Sequence, residues 1–299
     1  MNKFPDLKRW FDVAEYCDFN DCRKIEINMK NNLAETDIDF FCNEFAKYLC
    51  RTRCPQSAHL DTMIQAIDSG CDIDSEEKLF WRNIFFRGFI SQTKFNECGN
   101  YQKSFDDDAI LGYIGEALYY VVREQVLEDE KICIEPLKPK FYSKDTGIDF
   151  LEIRKEATDY YMIIGEIKAT KNTISSRANE IIESFKLRAD KNFSELCVAL
   201  QDRSASIDNQ ELSEFISNMC DLFYHIGKKP SSKKRYGGVV NYNFHGQKIR
   251  DSAFGDFKEQ LAGKVADENC CRRLALVGIY NIEIVMNKVR DAIWNKIAT

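Results

Sequence analysis

Histidine and proline are scarce in this chain, which has three histidines and five prolines among 299 residues. Its only candidate imidazole bases are therefore His59, His225 and His245. We interpret His225, which lies in an apolar helical run, as a packed residue, and His245, which precedes Gly246, as a turn residue. Because prolines are few and no long flexible tract is present, the sequence offers no clear point at which to divide the chain.

The motifs of several common enzyme classes are absent. The sequence has no Gly-x-Ser-x-Gly elbow, no Gly-rich phosphate loop ending in lysine, no Gly-x-Gly-x-x-Gly and no His-Glu-x-x-His. Any ATP-driven step would therefore have to come from another protein. No apolar run approaches the roughly 20 residues of a membrane helix, and the first residues lack the apolar stretch of about 7–15 residues of a secretory signal. We expect a cytoplasmic protein with no membrane contact.

Cysteine content and charge narrow the function further. The chain has 12 cysteines, which we expect to be reduced thiols in a cytoplasmic protein, and their spacing gives no regular zinc pattern. The formal net charge of −6 argues against a protein that coats nucleic acid by bulk attraction. An enzyme that engages DNA through a local basic patch and a bound metal remains compatible with this charge.

Hydrophobic periodicity predicts two regions, a helix-rich region at residues 1–100 and a mixed region of helices and strands at residues 101–299. The second region contains a candidate basic linker at residues 227–238, and the family resemblance given below implies a helical insertion at about residues 194–235. The predicted strands are 23–30, 132–137, 238–244 and 273–282. The predicted helices are 37–51, 59–67, 76–90, 109–127, 172–191, 209–226, 252–262 and 283–297. The fold class is α/β of the α+β kind, with a mixed sheet flanked by helices.

The stretch TGIDFLEIRKEATDYYMIIGEIKAT, residues 146–170, predicts a β-hairpin with Asp149 on one strand and Glu166 and Lys168 on the next. Because successive strand residues point to opposite faces, Glu166 and Lys168 share a face, whereas Ile167 points the other way. The two carboxylates and the backbone carbonyl of Ile167 are hard oxygen ligands that suit Mg²⁺ or Mn²⁺. Such a metal acidifies a bound water, and Lys168 would orient that water or stabilise the transition state.

An acidic residue two positions before a lysine is a weak motif by itself. The chain contains five such pairs, which are Asp6/Lys8, Glu76/Lys78, Asp129/Lys131, Glu166/Lys168 and Asp256/Lys258. Only the fourth ends a strongly apolar strand and follows a separate strand that carries an aspartate after a turn-forming glycine. The alternative interpretation is a cross-strand salt bridge on a solvent face, worth about 0.2–1 kcal/mol.

Glu116 is the only charged side chain in the apolar segment AILGYIGEALYYVV, residues 109–122. A lone buried carboxylate costs several kcal/mol unless it is paired or binds a metal. We therefore interpret Glu116 as a further acidic ligand of the same metal. A structural salt bridge to an arginine, or a capped turn, is the alternative.

Two basic segments are candidates for contact with the DNA backbone. Such contacts to phosphate do not depend on the base sequence. One is the helix after the hairpin, where Arg177 lies nearest the motif. The other is the basic loop, which offers Lys228, Lys229, Lys233, Lys234 and Arg235. A solvated protein surface is the alternative for both segments.

The order of these motifs resembles that of the PD-(D/E)xK nuclease superfamily over about residues 109–191. The motifs are the Gly115-Glu116 helix, a strand, Gly147-x-Asp149, Gly165-Glu166-x-Lys168 and a following helix. The resemblance implies a restriction-endonuclease-like core, catalysis by Asp149, Glu166 and Lys168, an auxiliary Glu116, and Mg²⁺ or Mn²⁺ as cofactor. Where the superfamily's name has proline before the aspartate, this chain has Ile148, a frequent departure.

The layout of the whole chain resembles, more narrowly, HamA, the nuclease subunit family of the Hachiman antiphage defence system. That resemblance adds a helix-rich insertion and a late strand followed by a terminal helix. It implies a HamB-type superfamily 2 helicase as partner, which holds the nuclease inactive until DNA damage releases it. Two alternatives stay open, a stand-alone sequence-specific restriction endonuclease and a non-catalytic nuclease-like module that binds DNA or assembles a complex.

Overall fold

The computed structural model describes residues 4–17, 22–53, 65, 69, 76, 107–126, 131–134, 149–156, 159–171, 174–188, 210–226, 234–244 and 272–298. These residues form a seven-stranded sheet and five α-helices, preceded by a 3₁₀ turn at Leu7–Arg9. The predicted mixed α/β class is thereby confirmed.

The strands are β1 (Phe11–Cys17), β2 (Cys22–Met29), β3 (Lys131–Ile134), β4 (Phe150–Glu156), β5 (Asp159–Thr170), β6 (Lys234–Asn243) and β7 (Arg272–Ile279). The helices are α1 (Glu35–Arg53), α2 (Asp107–Val126), α3 (Ile174–Arg188), α4 (Gln210–Ile226) and α5 (Ile282–Ala298). The strand order across the sheet is β1-β2-β7-β6-β5-β4-β3. The two edges are antiparallel, whereas β5, β6, β7 and β2 run parallel to one another.

Helices cover both faces of the sheet. On one face α1, α2 and α5 bury a core that includes Phe150 and Ile167 from the hairpin and Val239 from β6. On the other face α3 buries Ile181 and Ile182, and α4 meets β5 where Tyr160 lies against Phe215 at 5.4 Å between ring centroids. Since residues alternate along a strand, even-numbered positions of β5 face α3 and α4, and odd-numbered positions face α2.

The sequence predicts a single strand in the helix-rich region at residues 1–100, and the structure differs from this prediction. Two strands are present, and β1 is the one that periodicity missed, because its apolar alternation is broken: Phe11 is buried, whereas Val13 is 39% exposed. Both strands belong to the same sheet as the hairpin, since β2 pairs with β7 from Cys22↔Arg272 to Asn28↔Gly278. The expected boundary at residue 100 falls outside the described residues.

The prediction that the basic linker extends from residue 227 to residue 238 is wrong at its C-terminal end. Strand β6 begins at Lys234 rather than at the predicted residue 238, because parallel pairing to β5 starts at Met162↔Lys234. Lysine and glycine have low strand propensity, so the local sequence carries no strand signal there. In the expected insertion, α4 supplies the described helical part.

The other predicted helices and strands match the described ones to within a few residues at each end. The predicted helices at 59–67, 76–90 and 252–262 lie outside the described residues, apart from isolated positions. None of the helices in the described ranges is long and apolar enough to cross a membrane.

Candidate active site

The β4–β5 hairpin places Asp149 opposite Glu166. The last antiparallel pair of the two strands is Phe150↔Gly165, so Asp149 lies one residue beyond β4. Its backbone N–H donates to the Gly165 carbonyl at 3.1 Å, and its side-chain Oδ2 accepts the backbone N–H of Ile167 at 2.7 Å. Two hydrogen bonds thus hold Asp149, which is 7% exposed, against β5, and one of them engages its carboxylate.

Gly165 is required by packing directly in front of Glu166. A Cβ atom at Gly165 would overlap the ring of Phe150, which stacks on Tyr119 of α2 with 4.5 Å between centroids. The same ring also limits Gly237 on the next strand, where a Cβ would lie 3.0 Å from Phe150 Cζ. The aromatic stack therefore fixes the strand positions from which Asp149 and Glu166 project.

Glu166 is buried, at 2% exposure, and one of its carboxylate oxygens accepts two hydrogen bonds. Lys168 Nζ donates to Oε1 at 2.5 Å, and Ser184 Oγ of α3 donates to the same oxygen at 2.9 Å. Burial and the nearby charge of Asp149 raise the pKa of Glu166 above its ordinary value of 4.5, while Lys168 and Ser184 act in the opposite direction. The carboxylate therefore sits where negative charge is costly and only partly compensated.

The backbone of Ile167 points to the same edge as Asp149. In a strand the N–H and C=O of one residue point to the same side, and the N–H of Ile167 meets Asp149 Oδ2. Its carbonyl oxygen is therefore directed to the β4 side of β5. The Ile167 carbonyl as a metal ligand stays a prediction.

The donor set fits a hard divalent cation. Asp149 and Glu166 supply two carboxylates close enough for one to raise the pKa of the other, and the Ile167 carbonyl adds a neutral oxygen. Mg²⁺ and Mn²⁺ prefer such oxygen ligands and retain several waters. A positive ion beside two buried carboxylates would also offset the repulsion between them.

Glu116 lies on α2, on the other side of the sheet from Lys168 and α3. Neighbouring Gly115 packs so closely that a Cβ there would lie 2.7 Å from Asn241 Nδ2 and 3.4 Å from the Ala169 side chain. The charge of Glu116 helps to raise the pKa of Tyr120. Among the described residues, no three His, Cys, Asp or Glu side chains form a group that could hold a metal ion. The role of Glu116 as a further acidic ligand of the metal stays a prediction.

The predicted DNA-contacting residues are only partly placed. Arg177 donates to Glu180 at 2.6 Å on the surface of α3, rather than to the carboxylates of the site. Lys234 and Arg235 lie in β6, and their backbones pair with Met162 and Ile163. The remaining loop candidates, Lys228, Lys229 and Lys233, lie outside the described residues.

Ser184 is a site residue that the sequence analysis missed. Its signal was available, since Ser184 follows Ala178 and Ile181 at three-residue intervals on the buried side of α3. A hydroxyl on the apolar face of the helix that directly follows the carboxylate strand is the pattern that would have indicated Ser184.

A further buried carboxylate, that of Glu152, was also missed. It is fully buried on β4 and accepts the Tyr119 hydroxyl at 2.8 Å. Because Glu152 shares the face of Phe150, it belongs to the α2 side of the sheet and not to the site.

Comparison of the sequence with known protein families and with curated proteins gives no match in either set.

Proposed function

We propose that the protein is a divalent-metal-dependent deoxyribonuclease with a restriction-endonuclease-like core. The observation that carries the proposal is the meeting of two carboxylates and an ammonium at one place on adjacent strands. Lys168 contacts Glu166 at 2.5 Å, and the charge of Asp149 acts on Glu166 closely enough to raise its pKa. The sheet carries helices on both faces, and the second strand of the hairpin, β5, runs parallel to β6, β7 and β2. This arrangement is compatible with such a core.

The roles of the residues follow from their positions. Asp149, Glu166 and the Ile167 carbonyl would hold Mg²⁺ or Mn²⁺, which when bound acidifies water and neutralises phosphate charge. Lys168, held beside the carboxylates and 27% exposed at its side chain, donates a hydrogen bond to the attacking water or to a phosphate oxygen. Ser184 fixes Oε1 of Glu166 from the helix side.

The biological role that we propose is that of the effector of a bacterial antiphage defence system. In this role a superfamily 2 helicase of HamB type holds the nuclease inactive and releases it to degrade DNA. The support for this part is the resemblance of motif order to the HamA family. Copurification with the product of an adjacent helicase gene, and latency of cleavage in that complex, are the expected observations.

The proposal is tested by DNA cleavage with Mg²⁺ or Mn²⁺, using the Glu166→Ala/Lys168→Ala double variant. Removal of one charge-stabilising group commonly costs a factor of about 10²–10³ in kcat, so we expect a loss of at least a hundredfold. The matched control is Glu44→Ala/Lys47→Ala, which removes an ion pair of 3.0 Å from α1. Equal cleavage by the site variant and the control variant would refute the site.

One observation favours the non-catalytic candidate. Both carboxylates already accept hydrogen bonds from the protein, Asp149 from Ile167 and Glu166 from Lys168 and Ser184, so each has a protein partner without a cation. DNA binding without cleavage under any divalent metal would support that candidate. Cleavage at one recurring sequence would instead support a restriction endonuclease.

A further inference from the structure

An aromatic ring lies directly behind the two carboxylates of the candidate site, on the opposite face of the sheet. Phe150 of β4 is in register with Gly165 of β5, which is in register with Gly237 of β6. The Phe150 ring covers both glycines, because a Cβ at Gly165 would overlap it and a Cβ at Gly237 would lie 3.0 Å from its Cζ. Phe150 directly follows Asp149 in the chain. Gly165 directly precedes Glu166, so the position of the ring sets the backbone at both carboxylates.

Tyr119 of α2 is attached to β4 at two points. Its ring stacks on Phe150 with 4.5 Å between centroids and 29° between the planes. Its hydroxyl donates to Oε1 of Glu152 at 2.8 Å, and Glu152 lies two residues after Phe150, on the same face of β4. All three side chains are fully buried, so water does not compete for either contact.

The hydrogen bond adds a constraint that stacking alone does not supply. Aromatic pairs tolerate a range of offset and tilted geometries, whereas a hydrogen bond to a carboxylate is short and directional. Because its hydroxyl is bonded, the Tyr119 ring keeps one orientation over Phe150. A phenylalanine at position 119 would make the same ring contact without requiring a buried carboxylate, which is costly. The hydroxyl and Glu152 therefore serve orientation.

A buried cation lies near this carboxylate. Arg123, one turn after Tyr119 on α2, is 6% exposed, and its guanidinium carbon lies 5.2 Å from the ring centre of Tyr120. Burial raises the pKa of Tyr120, the charge of Arg123 lowers it and the charge of Glu152 raises it, so both charges lie close to this ring. The positive charge offsets part of the cost of burying Glu152.

The binding of a divalent cation depends on where the two strands hold their ligands. Mg²⁺ demands near-ideal octahedral geometry, so a small displacement of one carboxylate against the other lowers the affinity. The Phe150 ring sets the backbone at both carboxylates, and Tyr119 sets the ring. Helix α2 thus acts on the metal ligands from behind the sheet.

We propose that Tyr119 is a positioning residue for the metal site, that it acts through Phe150, and that Glu152 is its anchor. Through this contact α2 controls the affinity of Asp149 and Glu166 for a divalent cation. The inference rests on the proposed function, because it concerns the metal of the same site. It gives the buried Glu152 a role in metal binding, although Glu152 lies on the other face of the sheet.

The test is calorimetric titration of Mn²⁺ into the DNA-free protein, comparing Tyr119→Phe with Tyr242→Phe. Each change removes a buried tyrosine hydroxyl that donates one short hydrogen bond, to Glu152 at 2.8 Å or to Asn28 at 2.7 Å. The Tyr242 hydroxyl reaches across β7 to β2, away from the hairpin, so this variant controls for a general loss of stability. Thermal unfolding without metal measures the stability of each variant.

We expect Tyr119→Phe to weaken the Mn²⁺ affinity roughly three- to tenfold, less than the loss of about 10–100-fold on removing a direct partner of a metal ligand. Tyr242→Phe should leave the affinity unchanged. Glu152→Leu removes the acceptor and should act as Tyr119→Phe does, whereas Glu152→Gln keeps an acceptor oxygen and should retain most of the affinity. The Tyr119→Phe/Glu152→Leu double variant should bind no more weakly than either single variant, because both remove the same bond.

A purely structural contact gives a different pattern, in which the variants unfold at lower temperature but Tyr119→Phe binds Mn²⁺ as tightly as Tyr242→Phe. That result overturns the inference alone, and so do equal affinities for Glu152→Leu and Glu152→Gln. If Tyr119→Phe does not fold, the two Glu152 variants decide, since both leave the stacked rings in place. A wild-type protein that binds no Mn²⁺ overturns the inference together with the proposed function.

Discussion

At the scale of single residues, two adjacent positions of β5 are fixed by opposite demands. Gly165 must lack a side chain because the Phe150 ring fills the space above it. Glu166 must carry a charged group in a place that is 2% exposed. Glycine is required at position 165 by packing, and glutamate is required at position 166 by the proposed chemistry, although the two residues are adjacent in one motif.

Replacing Gly165 by alanine should destabilise the protein, whereas Gly112→Ala should not. The new methyl at position 165 displaces the Phe150–Tyr119 stack, and overpacking of this kind costs typically 1–3 kcal/mol, occasionally more. Gly112 lies inside α2, and a Cβ there would meet no atom within 4 Å apart from the nearby backbone of its own helix. Since alanine is favoured over glycine in helices by about 0.8–1 kcal/mol, Gly112→Ala should stabilise. Denaturant unfolding measures both, and equal effects would contradict the packing described.

The raised pKa of Glu166 predicts a pH dependence of stability. Because the folded protein binds this proton more tightly than the unfolded chain, stability contributed by protonation is present near the ordinary pKa of 4.5 and is lost as pH rises through the raised folded pKa. Glu166→Gln should therefore raise Tm at pH 8 without divalent metal. Each pKa unit relieved is worth about 1.4 kcal/mol. At roughly 2–4 °C per kcal/mol for 150–250 residues this is about 3–6 °C, and the smaller shift is expected for 299 residues. A lower Tm for the variant at pH 8 would contradict this sign.

At the scale of helices and strands, the site depends on the hairpin and on α3 together. The hairpin sets Asp149 opposite Glu166, and α3 contributes Ser184. The hairpin, the two acidic groups and the lysine were predictable, because period-two alternation and a turn-forming glycine are local signals. The contact of Ser184 was not predicted, since it depends on how a helix packs on the sheet.

Ser184→Ala should move the acid limb of the pH–rate profile to higher pH. The serine hydroxyl lowers the pKa of Glu166, so its loss lets that pKa rise further and leaves less carboxylate at a given acidic pH. We expect the fractional loss of kcat to be larger on the acid limb of the profile than on its plateau. Ser69→Ala is the control, since that exposed hydroxyl donates to the Gln65 carbonyl. An acid limb that does not move would remove Ser184 from the site.

At the scale of the whole molecule, the N-terminal strands and the hairpin belong to one sheet. Trp10 and Leu7 are fully buried, and Gln125 of α2 bonds to the Leu7 N–H at 2.6 Å and to the Phe4 carbonyl at 2.9 Å. The sequence could not predict that the N-terminal strands join the same sheet as the hairpin. The partners of β2 lie about 250 residues away on β7, and no local pattern encodes so distant a pairing.

A fragment of residues 101–299 should therefore fail to fold cooperatively. It would expose the edge of β7 that β2 covers and the faces of α2 and α5 that α1 and the first residues bury. Exposed strand edges of this kind promote association. Circular dichroism with thermal unfolding is the measurement, with the full chain as reference. A soluble fragment with a sharp transition would show instead that the region near residue 100 is a domain boundary.

The most direct test of the central claim is calorimetric titration of Mn²⁺ into the wild-type protein and into Asp149→Asn, at pH 8. If the two carboxylates form the metal site, the wild type should bind Mn²⁺ with a measurable heat, and Asp149→Asn should weaken the affinity at least tenfold. The control variant Asp291→Asn, which removes a carboxylate beside Arg290 on α5, should bind as the wild type does. Equal Mn²⁺ affinity for wild type and Asp149→Asn would contradict the account.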